Sequence, residues 1–183
     1  MSERYKVLDN STPNFITLTI IDWVDLFIRP VYFKILDNAL NYCIENKGLE
    51  INAYVYMSSH IHLIVSSKKD SIPNIIKSFK IYTTKEFLKA IKESPESRRE
   101  WLLNKFSLAA NRIKRGKNYK VWKDGFHPII LDNSLKVEQR IKYIHNNPFV
   151  SQLIREPRDW VNSSCLQYEN EKCKSNVQIV RLY

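Results

Sequence analysis

The 183-residue sequence contains only three glycines, at positions 48, 116 and 125. That scarcity excludes long glycine-rich loops and any phosphate-cradling glycine motif. Cysteine is equally sparse: Cys43, Cys165 and Cys173 form no C-x-x-C pair. An odd, unpatterned set fits a reducing cytoplasm and not a disulfide framework. No apolar run reaches the roughly 18 residues that a helical membrane span needs, and residues 1–13 do not read as a signal peptide. The expectation is a cytoplasmic protein with no membrane segment. Acidic residues are scarce in one region in particular. Residues 68–123 carry 16 Lys/Arg against 5 Asp/Glu, whereas residues 1–67 carry 5 against 7 and residues 124–183 carry 8 against 7. The net charge of +10 therefore sits in the middle third. A polyanion such as nucleic acid is the partner this suggests, and a solvated basic helix face is the alternative on charge alone.

What is present is enough for a core. The chain is 44% hydrophobic and 26% charged, in one compositional regime. This predicts one domain over residues 1–168 and a C-terminal tail over 169–183. Residues 15–22 read as a strand rich in Ile and Thr. Pro30 opens a helix whose apolar positions 31, 35, 36, 39, 40, 43 and 44 recur at helical spacing, and Gly48 closes it. Residues 51–57 and 60–66, joined at Ser58-Ser59, read as a hairpin. Asp70-Ser71 begins a long basic amphipathic helix with Ile72, Ile75, Ile76, Phe79, Phe87, Leu88 and Ile91 on its apolar stripe, and Pro95 breaks it. A second helical stretch contains Trp101, Leu102, Phe106, Ala109 and Ile113. Val121-Trp122 and residues 126–131 read as extended. Asp132-Asn133-Ser134 begins a last helix through Ile141 and Ile144, which Pro148 is expected to stop. Beyond it the chain reads as irregular, anchored by Trp160 and Tyr168. The order β-α-β-β-α-(α)-β-α predicts an α+β fold: a ferredoxin-like βαββαβ antiparallel sheet with helices on one face and an extra C-terminal helix.

Two local patterns carry chemistry. In His60-Ile61-His62, strand alternation puts both imidazoles on one face and Ile61 on the other. Two histidines in an otherwise apolar strand are costly without partners, and together they can hold one metal ion. The second pattern is Tyr143-Ile144-His145-Asn146-Asn147-Pro148. Residues four apart share a helix face, so Tyr143 and Asn147 lie together if the helix continues. Taken alone, Tyr143 reads more readily as a packing aromatic ahead of an Asn-Pro stop.

Together these patterns resemble the REP-associated branch of the single-tyrosine HUH transposases. The resemblance runs from about residue 14 to 168. It rests on His60-Ile61-His62 after Tyr54-Val55-Tyr56-Met57-Ser58-Ser59, on the basic helix that follows, on the run from Val121-Trp122 to Phe126-His127, on Tyr143 to Pro148, and on Asp159-Trp160 with Ser163-Ser164. It implies that His60 and His62 are metal ligands and that Asn147 completes the metal site. It also implies that Tyr143, on a C-terminal catalytic helix, is the nucleophile. One departure is visible: the family usually carries Pro-Asn where this chain has Ser58-Ser59, which puts the turn geometry in question.

The implied activity is metal-dependent cleavage and rejoining of single-stranded, hairpin or palindromic DNA through a 5′-phosphotyrosine. Mixed nitrogen and oxygen ligation suits Mg²⁺ or Mn²⁺, with zinc chemically open. An ordinary phenol, with a pKa of about 10, is roughly 0.1% ionised at pH 7, so a tyrosine nucleophile needs assistance. His145, two positions along the helix, is not assigned as its base. Lys77, Lys80, Lys85, Arg112, Lys114, Arg115 and Lys117 are the expected phosphate contacts. Trp122, with Tyr82, Tyr119 and Phe126 as further candidates, is an expected base-stacking residue. The alternative function is a non-catalytic module, derived from a transposase, that binds hairpin nucleic acid. A replication- or conjugation-type nicking enzyme is a third reading, disfavoured because such enzymes more often place the nucleophile before the histidines. Monomer and homodimer both remain open.

Overall fold

The structure is a computed structural model that describes residues 7, 9–112, 118–171, 173 and 175–182. Its strands are β1 (Asn14–Thr19), β2 (Leu49–Tyr56), β3 (His60–Ser67) and the short β4 (Ile129–Ile130), and its main helices are α1 (Pro30–Lys47), α2 (Ile72–Glu93), α3 (Arg99–Asn111) and α4 (Ser134–Val150). The strands form one sheet in the order β2-β3-β1-β4. Every neighbouring pair is antiparallel. This is the predicted ferredoxin-like arrangement: α1 crosses from β1 to β2, and the β2–β3 hairpin inserts β3 between them.

Alternation along the strands divides the interior in two. Ile16 and Leu18 of β1, Tyr54 and Tyr56 of β2, and Ile61, Leu63 and Val65 of β3 enter the larger core with α1, α2 and α3. Phe15, Ala53, Val55, Met57 and Ile64 point the other way, against Val137, Ile141 and Ile144 of α4. A bulge between Ile51 and Ala53 sets the β2 register. The apolar stripe expected on α2 is buried apart from Leu88, which packs half-buried against the same core.

Three local outcomes differ from the sequence reading. Asp70 and Ser71 give no side-chain cap to α2; the Asn10 Oδ1 accepts the Ile72 N–H at 2.8 Å instead. The extended run over 126–131 shrinks to Ile129–Ile130: the left-handed Gly125 (φ 72°) and His127 (φ 44°) interrupt the regular ladder, although Thr17 N–H still donates to Phe126 O at 3.1 Å. Pro148 does not stop α4, which continues to Val150. The proline removes the N–H that would bond to Ile144, but it sits so near the end that little helix is lost. Ser151 N–H to Asn147 O and Leu153 N–H to Pro148 O, each 3.0 Å, close the terminus.

The outer edge of β2 is covered, which removes an exposed pairing edge. Tyr56 N–H donates to Asn162 O (2.9 Å), Ser164 N–H to Tyr54 O (3.0 Å) and Val180 N–H to Ile51 O (2.8 Å). Trp160 Nε1–H donates to Tyr56 O and Tyr168 O–H to Asn52 O, both at 2.9 Å, so both aromatics anchor the C-terminal part.

Gly48 caps α1 in the left-handed region (φ 69°), and a Cβ there would lie 2.6 Å from Lys69 Cβ. Backbone strain and collision add, so Gly48→Ala is expected to lower unfolding stability by about 1–3 kcal/mol, read as a reduced urea midpoint with an unchanged slope.

Candidate active site

The pairing of β3 with β1 creates the site. Register sets Thr17 opposite His62 and Thr19 opposite His60. Both histidines lie on the α4 face of the sheet, as period-2 alternation requires. Their ring centroids are 4.7 Å apart. The Thr17 hydroxyl and His62 Nδ1 share a 2.8 Å hydrogen bond. The Ser59 hydroxyl meets His60 Nδ1 at 3.2 Å. Neither Nε2 has a hydrogen-bond partner among the described residues. A hydrogen bond to one imidazole nitrogen that leaves the other free is the way a metal-binding histidine is oriented, and here side-chain hydroxyls make that bond.

Burial keeps these rings neutral. His62 is only 5% exposed. Its pKa falls from the ordinary 6.5 to about 3, chiefly by desolvation, with His60 and Arg140 adding to the shift. The His60 pKa is also lowered by burial, against an opposing pull from Asp25. A neutral imidazole is the form that ligates a metal. Among the described residues no group of three or more His, Cys, Asp or Glu could hold a metal. Any ion here therefore depends on two imidazoles plus uncharged oxygen donors. That donor set fits a divalent ion with positions left open for substrate.

The Ser58-Ser59 turn is well formed despite lacking Pro-Asn. Met57 N–H donates to His60 O across it at 2.8 Å, and Ile20 N–H and Phe27 N–H donate to Ser59 O and Ser58 O at 2.8 Å. The Ser58 hydroxyl donates to Asp25 at 2.6 Å.

Helix α4 brings Tyr143 to this pair. Its N-cap Asn133 accepts the Lys136 N–H at 2.9 Å. Val137, Ile141 and Ile144 are buried against the sheet. Tyr143 flanks that stripe with its ring 5.3 Å from His62 and 5.7 Å from Phe15, edge-on to both, and stays 43% exposed. Asn147 is half-buried one turn later, with the helix unbroken between them. His145 points elsewhere: its Nε2 meets the Ser164 hydroxyl at 3.0 Å and its ring packs on Tyr168.

Two residues at the site were missed from sequence. Arg140 lays its guanidinium over Phe15 (4.9 Å) and Tyr143 (5.7 Å). Its spacing of three from Tyr143 on one helix was the available signal. Trp23 sets its ring 5.4 Å from His60. No local pattern announces it, because the turn that carries it is irregular.

The expected DNA contacts separate. Lys77 and Lys85 are exposed on α2, but α2 covers the opposite face of the sheet from the histidines. Lys80 is corrected: its ammonium donates to Lys123 O (2.8 Å) and Gly125 O (2.7 Å), and burial lowers its pKa to about 8. Its ammonium is committed to bracing the turn at 123–125. Trp122 is also corrected. It is 5% exposed in the larger core, and its Nε1–H donates to the Thr83 hydroxyl at 2.9 Å, so no base can stack on it. Tyr119 and Phe126 are half-buried against that core, while Tyr82 is exposed. Arg112 pairs with Asp22 through both carboxylate oxygens. Lys114, Arg115 and Lys117 lie outside the described residues.

Comparison with known proteins agrees with this geometry at the level of fold. Residues 25–108 match the sequence profile of the family described as transposase IS200-like. That segment includes both histidines and ends before Tyr143. No curated protein matches the chain. The solved structure of the REP-associated tyrosine transposase bound to a REP hairpin is similar over 100% of this chain and 94% of that one, with a TM-score of 0.66 and 17% identity. A crystal structure of a putative transposase from Deinococcus radiodurans R1 matches 80% of this chain and 96% of that one, with a TM-score of 0.43 and 15% identity.

Burial of neutral histidines has a consequence for stability. Desolvation lowers the His145 pKa from 6.5 to about 4. The unfolded chain binds protons that the folded chain refuses, so stability falls as pH drops from about 6.5 towards 4. A melting series over that range should show the decline, and His145→Asn should flatten part of it. Over residues 25–108 the sequence is similar to the IS200-like transposase family, and over the whole chain the fold is similar to that of the REP-associated tyrosine transposase.

Proposed function

We propose that the protein is a metal-dependent endonuclease and strand transferase for single-stranded DNA, with Tyr143 as its nucleophile. The observation that carries this is the contact between the exposed Tyr143 ring and the buried, neutral His62, whose partner His60 lies beside it. A phenol beside paired imidazoles, with Arg140 over its ring, is a poor core arrangement and a good phosphoryl-transfer one.

His60 and His62 would hold a divalent ion, Mg²⁺ or Mn²⁺, through their Nε2 atoms, with the Asn147 amide oxygen as the third donor. When bound, the ion polarises the scissile phosphate and stabilises the departing oxygen. Thr17 and Ser59 keep the imidazole tautomers fixed. Arg140 supplies positive charge beside both the phenol and the incoming phosphate, which favours loss of the Tyr143 proton to water and steadies the transition state. Tyr143 Oη forms a bond to phosphorus, and the phosphorus bond to the 3′ oxygen breaks. The products are a 5′-phosphotyrosine and a free 3′-OH that takes up a proton. A second 3′-OH then attacks the same phosphorus, restores a phosphodiester and returns the proton to Tyr143. No external energy source is needed, because each step exchanges one phosphoester for another.

Hairpin DNA is the proposed substrate. The structurally similar REP-associated transposase is bound to a REP hairpin, and the middle third of this chain carries the positive charge such a partner requires. The other reading, a binding module without chemistry, leaves the pairing of Tyr143 with His62 unexplained.

Incubation of labelled hairpin DNA carrying single-stranded flanks with Mg²⁺ or Mn²⁺ should give a covalent protein–DNA band that survives denaturation. Tyr143→Phe should remove it and keep DNA affinity within about threefold; a persisting band would falsify Tyr143 as the nucleophile. His60→Ala should abolish the metal-dependent product. Arg140→Ala should slow adduct formation by about 10²–10³-fold, the typical worth of one preorganised charge donor, with Arg140→Lys recovering part of the rate.

A further inference from the structure

A strained and unexplained turn follows β1. Asp22 (φ 54°) and Trp23 (φ 55°) are consecutive non-glycine residues in the left-handed region. That backbone is uncommon for any side chain and disfavoured for a bulky one. Strain of this kind persists only where surrounding structure enforces it. The enforcement is visible: Arg112 at the end of α3 grips the Asp22 carboxylate through both oxygens, and Trp23 N–H donates to Ile20 O at 3.1 Å. Folding gains little from the indole thus displayed. Trp23 is 59% exposed, whereas Trp122 is buried in the core.

Its position is the informative part. Trp23 meets the His60 ring at 5.4 Å, His60 meets His62 at 4.7 Å, and His62 meets Tyr143 at 5.3 Å. The four rings form a continuous chain of contacts. Its ends, Trp23 and Tyr143, are exposed, and its middle is the histidine pair. A phosphate at the histidines therefore has the nucleophile on one side and a solvent-facing indole on the other.

We propose that Trp23 is a stacking platform for an unpaired nucleobase next to the phosphate that Tyr143 attacks, held in place by the Arg112–Asp22 pair. The proposal rests on the single-strand cleavage reading for the location of that phosphate. An indole face takes any base, so the platform supplies affinity and positioning, not sequence readout. It selects unpaired DNA, because a base inside a duplex has no free face to offer.

The test uses the full chain and oligo(dT) of fifteen nucleotides as the probe, without metal, followed by intrinsic fluorescence. Stacking on an exposed indole should quench emission in the wild type. Trp23→Phe should remove most of the quench and keep affinity within about threefold. Trp101→Phe, at an exposed indole on α3, should leave the quench intact. Trp23→Gly should weaken binding about 10- to 100-fold, the effect expected for loss of one base–aromatic stack. Glycine suits the left-handed backbone, so its melting temperature should hold or rise. No quench in the wild type, an undiminished quench in Trp23→Phe, or wild-type affinity in Trp23→Gly would overturn the platform. So would a fall in the melting temperature of Trp23→Gly, which would make the indole structural. Failure of the cleavage reading looks different: the Trp23-dependent quench survives while the wild type forms no covalent adduct on hairpin DNA.

Discussion

The structure turns on the two faces of β3. Ile61, Leu63 and Val65 enter the larger core, so His60 and His62 must emerge on the opposite face. A shift of one residue in register would bury the imidazoles under α2 and expose the aliphatics. That option is closed by the burial of Ile61, Leu63 and Val65 together on one face and by the Thr17–His62 pairing with β1. Desolvating two imidazoles is unfavourable unless their polar atoms are matched. Thr17 and Ser59 match one nitrogen of each ring. The second nitrogens remain, and they give this face a capacity that an apolar strand would lack.

Helix α4 is the other half of the constraint. Its buried residues Val137, Ile141 and Ile144 fix its rotation about its own axis. Once that rotation is set, Arg140, Tyr143 and Asn147 share the neighbouring helical strip by spacing of three and four. Tyr143 thus reaches His62 without needing a loop to carry it. Groups on packed helices and strands hold position better than groups on loops, and the proposed chemistry draws its histidines and tyrosine from such elements.

Much of this was legible beforehand, because the relevant signals are periodic. Alternation showed that His60 and His62 share a face, helical spacing showed the α2 stripe, and Gly48 marked the end of α1. Tyr143 was singled out by resemblance, since a tyrosine near Asn-Pro looks like a packing residue by itself. The failures have local physical causes. Pro148 reads as a stop, but its cost is small one turn from a helix end. Trp122 and Lys80 looked available because Trp122 sits in a short extended stretch beside basic residues and Lys80 lies on a basic amphipathic helix. In the fold, Lys80 closes the turn at 123–125 and Trp122 fills the space beneath it. Trp23 was invisible because left-handed backbone leaves no periodic trace, and its bracing partner Arg112 lies 90 residues away in sequence.

The separation of charge from chemistry follows from the same layering. The exposed lysines of α2 project from the helical layer on the far side of the sheet from Tyr143, so in the proposed reaction they would act on DNA through the field of the whole molecule and not at the scissile phosphate. Close-range positive charge comes instead from Arg140, and from Arg112 at the Asp22 turn. Arg112 is already committed to a carboxylate, so its local contribution is mechanical more than electrostatic. Division of this kind lets affinity and geometry vary independently. Surface lysines can change with little effect on the site, whereas Arg140 stacks on both Phe15 and Tyr143 and cannot be moved without disturbing the proposed nucleophile.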